Sequence, residues 1–451
     1  MPQHQTIFSS PADYDVVIVG AGMVGSTLAV ALGQAGLRVG LIEARPLSLE
    51  QGQTRLGSDG RASALSLGTA QLLEQLGVWP SLQQVGVSPI RQIQISDGNW
   101  PQVARLHHQE VGAEALGYIV ENQVTQAGLR QALRALPQVD WICPAQVTHC
   151  CLTATAACLE VQVLGQEGED SCTSGDRLTT RSALVVAADG MHSPLRQQLG
   201  IPTWGWRYAQ SCIVSTVQTE RPHQQIAYER FQASGPFAIL PLTDPQQVCV
   251  VWTVKGRDQE RLMALSEQDF LAAMAPSFGT SLGKLLKVNQ RACYAPQRCQ
   301  SQRYVAERFA LLGDAAHTTH PVGGQGVNMG MRDVAYLASL LSHAHSQRED
   351  LGSPHLLQRY ATARQAENRS ILWATDLANR LFSNRYWPLL WGRRLGLVGL
   401  DYLPTLKQAL MRRAMGIAAD QPRLALSTKP FLSDLPEWSG SGRAPVELGS
   451  R

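Results

Sequence analysis

The sequence predicts an α/β fold, and three observations carry that reading. The run Asp15–Gly20 is short, apolar and β-branched, as a strand buried in a parallel sheet must be, and it enters a glycine turn and a helical pattern. Far downstream, a second apolar run from Arg308 ends at Gly313-Asp314 and is followed by the glycine-rich segment from Pro321. Between them Gln210–Gln218, Gln225–Phe231, Phe237–Leu242 and Val248–Val254 read as short strands separated by turn residues. The Leu337–Arg369 and Ser370–Met415 regions read as helical.

The first element is the most specific. Gly20-Ala21-Gly22-Met23-Val24-Gly25 follows the strand, then a helical stretch, a second strand and Glu43. Gly20 permits a tight turn, Gly22 lets backbone approach a pyrophosphate, and Gly25 allows close helix–strand packing. The helix start offers unpaired amides and a positive dipole end to that phosphate. Glu43 closes the second strand, where a carboxylate accepts hydrogen bonds from both hydroxyls of an adenosine ribose. This unit alone does not separate NAD from FAD.

Two further strands end in acids. Leu184–Ala188 leads to Asp189-Gly190 and a helical start, which by itself reads equally as a capped turn. Phe309–Leu312 leads to Gly313-Asp314, with an Ala-Ala-His helix start expected behind it. Asp314 suits the hydroxyls of a ribityl chain, its plainer role being a helix cap. A helix starting near Gly326 would aim the Val327 and Asn328 amides at negative charge on a reduced flavin. Two separated sites of this kind fit one long dinucleotide held at both ends, and FAD is the cofactor they point to.

Composition excludes several classes. The 451 residues carry 39 basic and 36 acidic side chains, too balanced for a nucleic-acid surface. Nine cysteines include no CxxC and no zinc spacing, so reduced thiols of a cytoplasmic protein are expected and no metal. No signal peptide and no apolar run long enough for a membrane span are visible.

The three motifs, in this order, resemble those of the single-component FAD-dependent aromatic hydroxylases. Asp59–Ser66, the stretch from Ala227 through Leu242, His320–Asp333 and Thr375–Asn384 narrow the resemblance to the ubiquinone-biosynthesis hydroxylases, from about Tyr14 to Gly416. The resemblance implies a Rossmann-like FAD domain, discontinuous over 12–85, 118–200 and 290–345. It implies an interleaved antiparallel-sheet substrate domain over 86–117 and 201–289 and a helical region over 346–416. Residues 417–451 are expected to be a disordered tail. Residues 102–117 and 160–180 look like additions, the second an exposed hairpin.

By resemblance Gly20, Gly22 and Gly25 face the pyrophosphate and Glu43 the adenosine ribose. Arg61 lies over the phosphates and ribityl side, Gln123 near the adenosine or ribityl half, and Asp314 on the ribityl chain. Gly326, Val327 and Asn328 meet the pyrimidine edge of the flavin, while Asp189 shapes the nicotinamide and pyrophosphate region. NAD(P)H reduces FAD as a co-substrate, O2 adds at the flavin C4a, and the resulting hydroperoxide attacks the ring of a prenylated phenol. His320 and Pro321 are the candidate catalytic pair at the flavin face, the plainer reading of His320 being packing; His317 reads as structural.

Other readings stay open. A reductase of isoprenoid double bonds (the geranylgeranyl-reductase kind) shares this fold, and a non-catalytic flavin-binding scaffold of a quinone-synthesis complex would share the motifs. Trp204-Gly205-Trp206 evokes the flavin halogenases, but Arg207-Tyr208 follows where that motif needs Ile-Pro. The segment from Asn384 to Gly416 alternates Trp and Leu with Arg and Lys. It suits either core packing with a solvated face or a helix lying in the inner-membrane interface, and partner enzymes of quinone synthesis are an equal route for a lipid substrate.

Overall fold

The computed structural model describes residues 13–46, 61–98, 100, 103–164, 177–384 and 386–417. The expected tail, the middle of the 160–180 segment and Asp59-Gly60 lie outside them. The first sheet has a parallel core in the order Phe309–Leu311, Arg177–Ala187, Tyr14–Val19, Val39–Ile42, Val139–Ile142. Its strands are almost continuously apolar because helices Met23–Gln34 and Gln325–Ser346 cover them; Val16, Val17, Ile18, Leu184 and Val185 are fully buried. Strands Ala157–Val163 and Ala145–Leu152 extend this sheet antiparallel. The arms of the expected 160–180 hairpin are therefore paired sheet strands.

The second sheet is seven-stranded, and its order runs Leu285–Tyr294, Gln210–Thr219, Gln247–Lys255, Gly235–Pro241, Ile226–Gln232, Gln92–Asp97, Val103–His107. All pairs are antiparallel except Ile226–Gln232 with Gln92–Asp97. The 102–117 segment is thus no loose addition. Val103–His107 is the edge strand, and a short 3-10 turn, His108–Val111, follows it. Period-2 alternation gives the sheet two working faces. Ala227, Glu229 and Phe231 point one way, toward a cavity shared with the first sheet. Arg230 points the other way, toward a groove under helix Glu267–Phe278.

Helices Pro354–Phe382, Trp387–Asp401 and Pro404–Ala414 finish the chain. They join the core through charge as well as packing. Buried Asp97 accepts from Arg393 Nη2 at 2.7 Å and Arg394 Nε at 2.9 Å, and Lys407 pairs with Glu110 at 2.9 Å.

One polar hub ties these parts together. Asp333, fully buried in the 325–346 helix, accepts from Arg364 Nε at 2.8 Å and Asn368 Nδ2 at 2.9 Å, and bonds His317 Nε2 at 2.6 Å. Burial alone would raise its carboxyl, yet His317 and Arg364 hold it down to about 2. Its ordinary value is about 3.9, so the stability it contributes is fully present above that pH and drains away as pH falls toward 2. Arg364→Leu should leave Asp333 charged and underpaired, costing about 3–5 kcal/mol in denaturant unfolding at neutral pH. The same measurement near pH 2.5 should show a smaller difference between variant and wild type.

Candidate active site

The chain builds two cavities on either side of the glycine turn after the first strand. The first, of about 650 Å³, is lined by Gly20, Ala21, Gly22, Glu43, Arg45, Gln126, Arg130, Asp189 and Gly190 among others. Gly20 has a φ of +105°, and an added Cβ would lie 2.3 Å from the Ala188 carbonyl oxygen. At Gly25 an added Cβ would sit 2.0 Å from the Gly20 carbonyl oxygen, so helix and strand pack too closely for a side chain. Beside Gly22, by contrast, nothing lies within 4 Å. Two positions are closed by protein and one is open, the arrangement a backbone needs to receive a pyrophosphate.

Glu43 is fixed by its own backbone contacts. Its Oε2 accepts from Ala21 N at 2.7 Å and its Oε1 from Arg45 N at 2.9 Å, leaving further lone pairs for a ribose. Gln123 lines neither cavity. Its Nε2 donates to Glu121 Oε2 at 3.4 Å, and on the same helix, Asn122–Arg134, Gln126 and Arg130 meet the first cavity instead. The two are three and seven residues further on, so they share its helix face.

Asp189 accepts from Leu195 N at 3.4 Å through Oδ2, while its buried Oδ1 has no protein partner. Burial pushes its carboxyl up, partly offset by the Ser193 hydrogen bond. Just beyond it Arg196 is buried and donates to Met191 O and Ala315 O, both at 2.8 Å. That guanidinium stitches the Asp189 loop to the Asp314 loop, a contact no local pattern announces.

The second cavity, of about 740 Å³, joins the flavin-side loop to the seven-stranded sheet. Arg61, Asp314, Pro321 and the turn Gly323–Asn328 line one end. Ile93, Ile95, Leu106, Phe231, Leu240 and Val251 line the other, and Met411 and Met415 close it. Asp314 is solvent-accessible and lines this space. Burial raises its carboxyl and His317 lowers it. No helix starts behind Asp314 as the sequence suggested. Gly313–Ala315 is a single 3-10 turn, and His317–Thr318 becomes a short strand against Gln297–Ser301. The bond from His317 to Asp333 requires that turn.

The helix at the cavity begins at Gln325, capped by Gly324 with φ +61°. The amides left without intrahelical partners are those of residues 324–327. Gly324 N donates to Pro321 O, leaving Gln325, Gly326 and Val327 to face the site. Asn328 serves instead through its side chain: Oδ1 accepts from Ser66 N and Thr69 Oγ1, and Nδ2 donates to Ala64 O and Gly324 O, each at 2.8 Å. It locks the helix start to strand Ala62–Ser66.

His320 does not reach the cavity. It is 0% exposed, with its ring edge-on to Tyr208 at 5.0 Å and neither nitrogen hydrogen-bonded. Burial lowers it to about 4, so it stays neutral at working pH. Proton delivery by His320 is therefore withdrawn, and Pro321 alone of the pair lines the cavity.

The FAD binding domain family matches residues 13–374. The ubiquinone hydroxylase UbiL of Rhodospirillum rubrum is 38% identical over 91% of this chain and 92% of its own length. The 3-demethoxyubiquinol 3-hydroxylase of Escherichia coli is 35% identical, over 89% and 98%. This chain belongs to the FAD-dependent ubiquinone-biosynthesis hydroxylases. A p-nitrophenol 4-monooxygenase from Pseudomonas putida shares the fold with a TM-score of 0.69 at 20% identity, covering 89% of this chain and 96% of its own. The protein is thus a flavoprotein monooxygenase that uses NAD(P)H.

The residues present fit FAD at both ends: open backbone at Gly22 and Gly326, an orphaned carboxylate oxygen at Asp189, and free amides at a helix start. When bound, FAD takes a hydride from NAD(P)H and passes one oxygen atom of O2 to an aromatic ring. The chain's task is to hold and polarise. Glu43 would take the adenosine ribose and Asp314 the ribityl chain. Arg61 and the 325–327 amides would place positive potential where negative charge gathers, and the apolar walls would keep water out. Glu43→Ala and Asp314→Ala should each weaken FAD retention by about tenfold or more, one charge-assisted hydrogen bond each. Flavin absorbance per purified protein checks this, and wild-type flavin content in both variants would refute a two-ended grip.

Proposed function

We propose that this monooxygenase hydroxylates the ring of a polyprenylated phenol in ubiquinone or related prenylquinone synthesis. The observation that carries the reading is the continuity of the second cavity. A polar end at Asp314 and the helix start runs without a wall into an apolar chamber lined by Ile93, Ile95, Leu106 and Leu240. An amphiphile with a polar aromatic head and an isoprenoid chain matches that gradient, and 740 Å³ is within the range of ligand pockets. The names of the two quinone-pathway relatives support the same substrate class.

The chamber's last wall suggests how a lipid arrives. Met411 and Met415 face inward, whereas Leu403, Leu406 and Leu410 of the same segment are each about half exposed. On the neighbouring helix Trp387 is 70% and Leu395 67% exposed, and Tyr402 between them is 80% exposed. Isolated apolar residues on a surface are ordinary; a contiguous group of this size marks an interaction face. No described helix is long and apolar enough to cross a membrane, so the contact would lie in the plane of the bilayer surface. A protein partner docking on the same face is the competing outcome.

Two measurements test this. In a strain lacking the protein, mass spectrometry of lipid extracts should show loss of the quinone and build-up of a prenylphenol one oxygen short. An unchanged profile would remove the quinone pathway while leaving the monooxygenase. Wild-type protein should float with phospholipid vesicles, and the triple variant Trp387→Ser, Leu395→Ser, Leu406→Ser should remain at the bottom of the gradient with its flavin intact.

A further inference from the structure

The sheet face that forms the apolar chamber carries one carboxyl, Glu229. Its strand, Ile226–Gln232, is central in the sheet, and Glu229 pairs with Ile95 on one side and Ala238 on the other. Both neighbours line the same chamber, as do Ala227 and Phe231 two positions away on its own strand. An inward position on such a strand is ordinarily apolar. A charge there conflicts with the folding pattern, and such conflicts concentrate at sites kept for chemistry.

The other titratable side chains on the cavity wall are Arg61, Tyr228, Tyr294 and Asp314. No histidine or lysine is among them, and His320 is walled off. Lys407, on the helix closing the chamber, is engaged with Glu110. Asp97, at the end of the adjoining strand, is paired with Arg393 and Arg394. Tyr294 is pushed well above its ordinary value, chiefly by burial, so it stays protonated. Asp314 belongs to the flavin end. Glu229 is thus the proton acceptor on the substrate side.

Resting on the phenol reading above, we propose that Glu229 is the catalytic base of the hydroxylation. Its carboxylate accepts a hydrogen bond from the phenol hydroxyl and takes that proton as the ring is oxygenated. The O–H bond breaks, and its electron pair feeds through the ring to the carbon that forms the new C–O bond. The O–O bond of the activated oxygen breaks as that C–O bond forms; the carbon then releases its own proton to solvent to restore aromaticity, and Glu229 returns its proton to the ring oxygen. The balance is the established one: phenol, O2, NAD(P)H and a proton give the hydroxylated phenol, NAD(P)+ and water.

Burial alone raises the Glu229 carboxyl to about 7, with no neighbouring cation to pull it back. A base with that affinity is available at neutral pH and strong enough to assist a phenol, which an ordinary surface glutamate is not. The same burial means that a phenol hydroxyl in the chamber replaces the water the carboxylate has lost.

The test compares ortho-prenylphenol with its methyl ether, which has the same shape and no hydroxyl to donate. Both are titrated into oxidised wild-type holoenzyme and the Glu229→Gln holoenzyme, without NAD(P)H, across pH 5.5 to 8.5. In the wild type, preference for the phenol should rise about tenfold as pH passes through about 7, the gain of a charge-assisted over a neutral hydrogen bond. In Glu229→Gln the preference should be flat with pH, while hydroxylated product per NAD(P)H falls and Glu229→Asp recovers part of it. Phenol preference that is flat in the wild type, or equal in both proteins, overturns the assignment of Glu229 and leaves the phenol reading standing. Failure of both probes to bind wild type overturns the phenol reading, and the base with it. Flavin content reports folding, and the wild-type pH series decides the matter even if a variant loses FAD.

Discussion

The Asp314 turn, the helix that starts at Gln325 and the long C-terminal helix are tied together by Asp333. One carboxylate with no exposure to solvent holds His317 from the strand after the Asp314 turn, and Arg364 and Asn368 from the long C-terminal helix. It projects from the helix whose first turn faces the cavity. Three chain segments that meet FAD or back the site therefore share a single electrostatic anchor. A buried charge is tolerable only when every lone pair is used, and here both oxygens are engaged. The anchor is directional, so the Asp314 turn and the 325–327 amides keep a fixed relation to each other. Orientation of that kind is what catalysis by polarisation needs, since donors misplaced by an ångström lose most of their effect.

How far the sequence could be read follows from how local each interaction is. Gly20, Gly22, Gly25 and Glu43 act within one strand–turn–helix–strand unit, where steric limits on backbone dictate residue type, and they are legible as a pattern. Four of the seven strands of the second sheet lie within two residues of their sequence-read bounds because alternation is also local. What escaped was long-range. Asn328 bonds Ser66 and Thr69, and Arg196 bonds Ala315, across separations that no window spans. The edge strand Val103–His107 looked like an insertion because its identity comes from its partner, Gln92–Asp97. His320 was misplaced for a related reason: adjacency to Pro321 in sequence said nothing of which side of the chain each would face.

Glu229 was in plain sight within the segment that carried the resemblance. A single visible cue existed, a charged residue at an inward position between Ala227 and Phe231. Strand alternation marks the strand and also decides which face each side chain joins. The lesson is specific to sheets that separate two spaces. In Ile226–Gln232, Ala227, Glu229 and Phe231 line the chamber, Arg230 lines the groove behind, and Tyr228 touches both.

The attachment of the C-terminal helices depends on electrostatics of a different sort. Arg298, 1% exposed, has no hydrogen-bond partner on any of its three nitrogens. It lies instead 4.5, 4.7 and 4.6 Å from the rings of Trp204, Trp206 and Trp373. Three π faces replace the hydration a buried guanidinium would otherwise lose, each contributing about 1–2 kcal/mol. Trp373 comes from the helix Pro354–Phe382, so the cage clamps that helix to the paired strands Thr203–Arg207 and Gln297–Ser301, while Asp97 holds the next helix through Arg393 and Arg394. Neither clamp requires the apolar outer face of these helices to be buried. These two helices are thus fixed from inside, which frees their Trp- and Leu-rich outer surface for something other than folding.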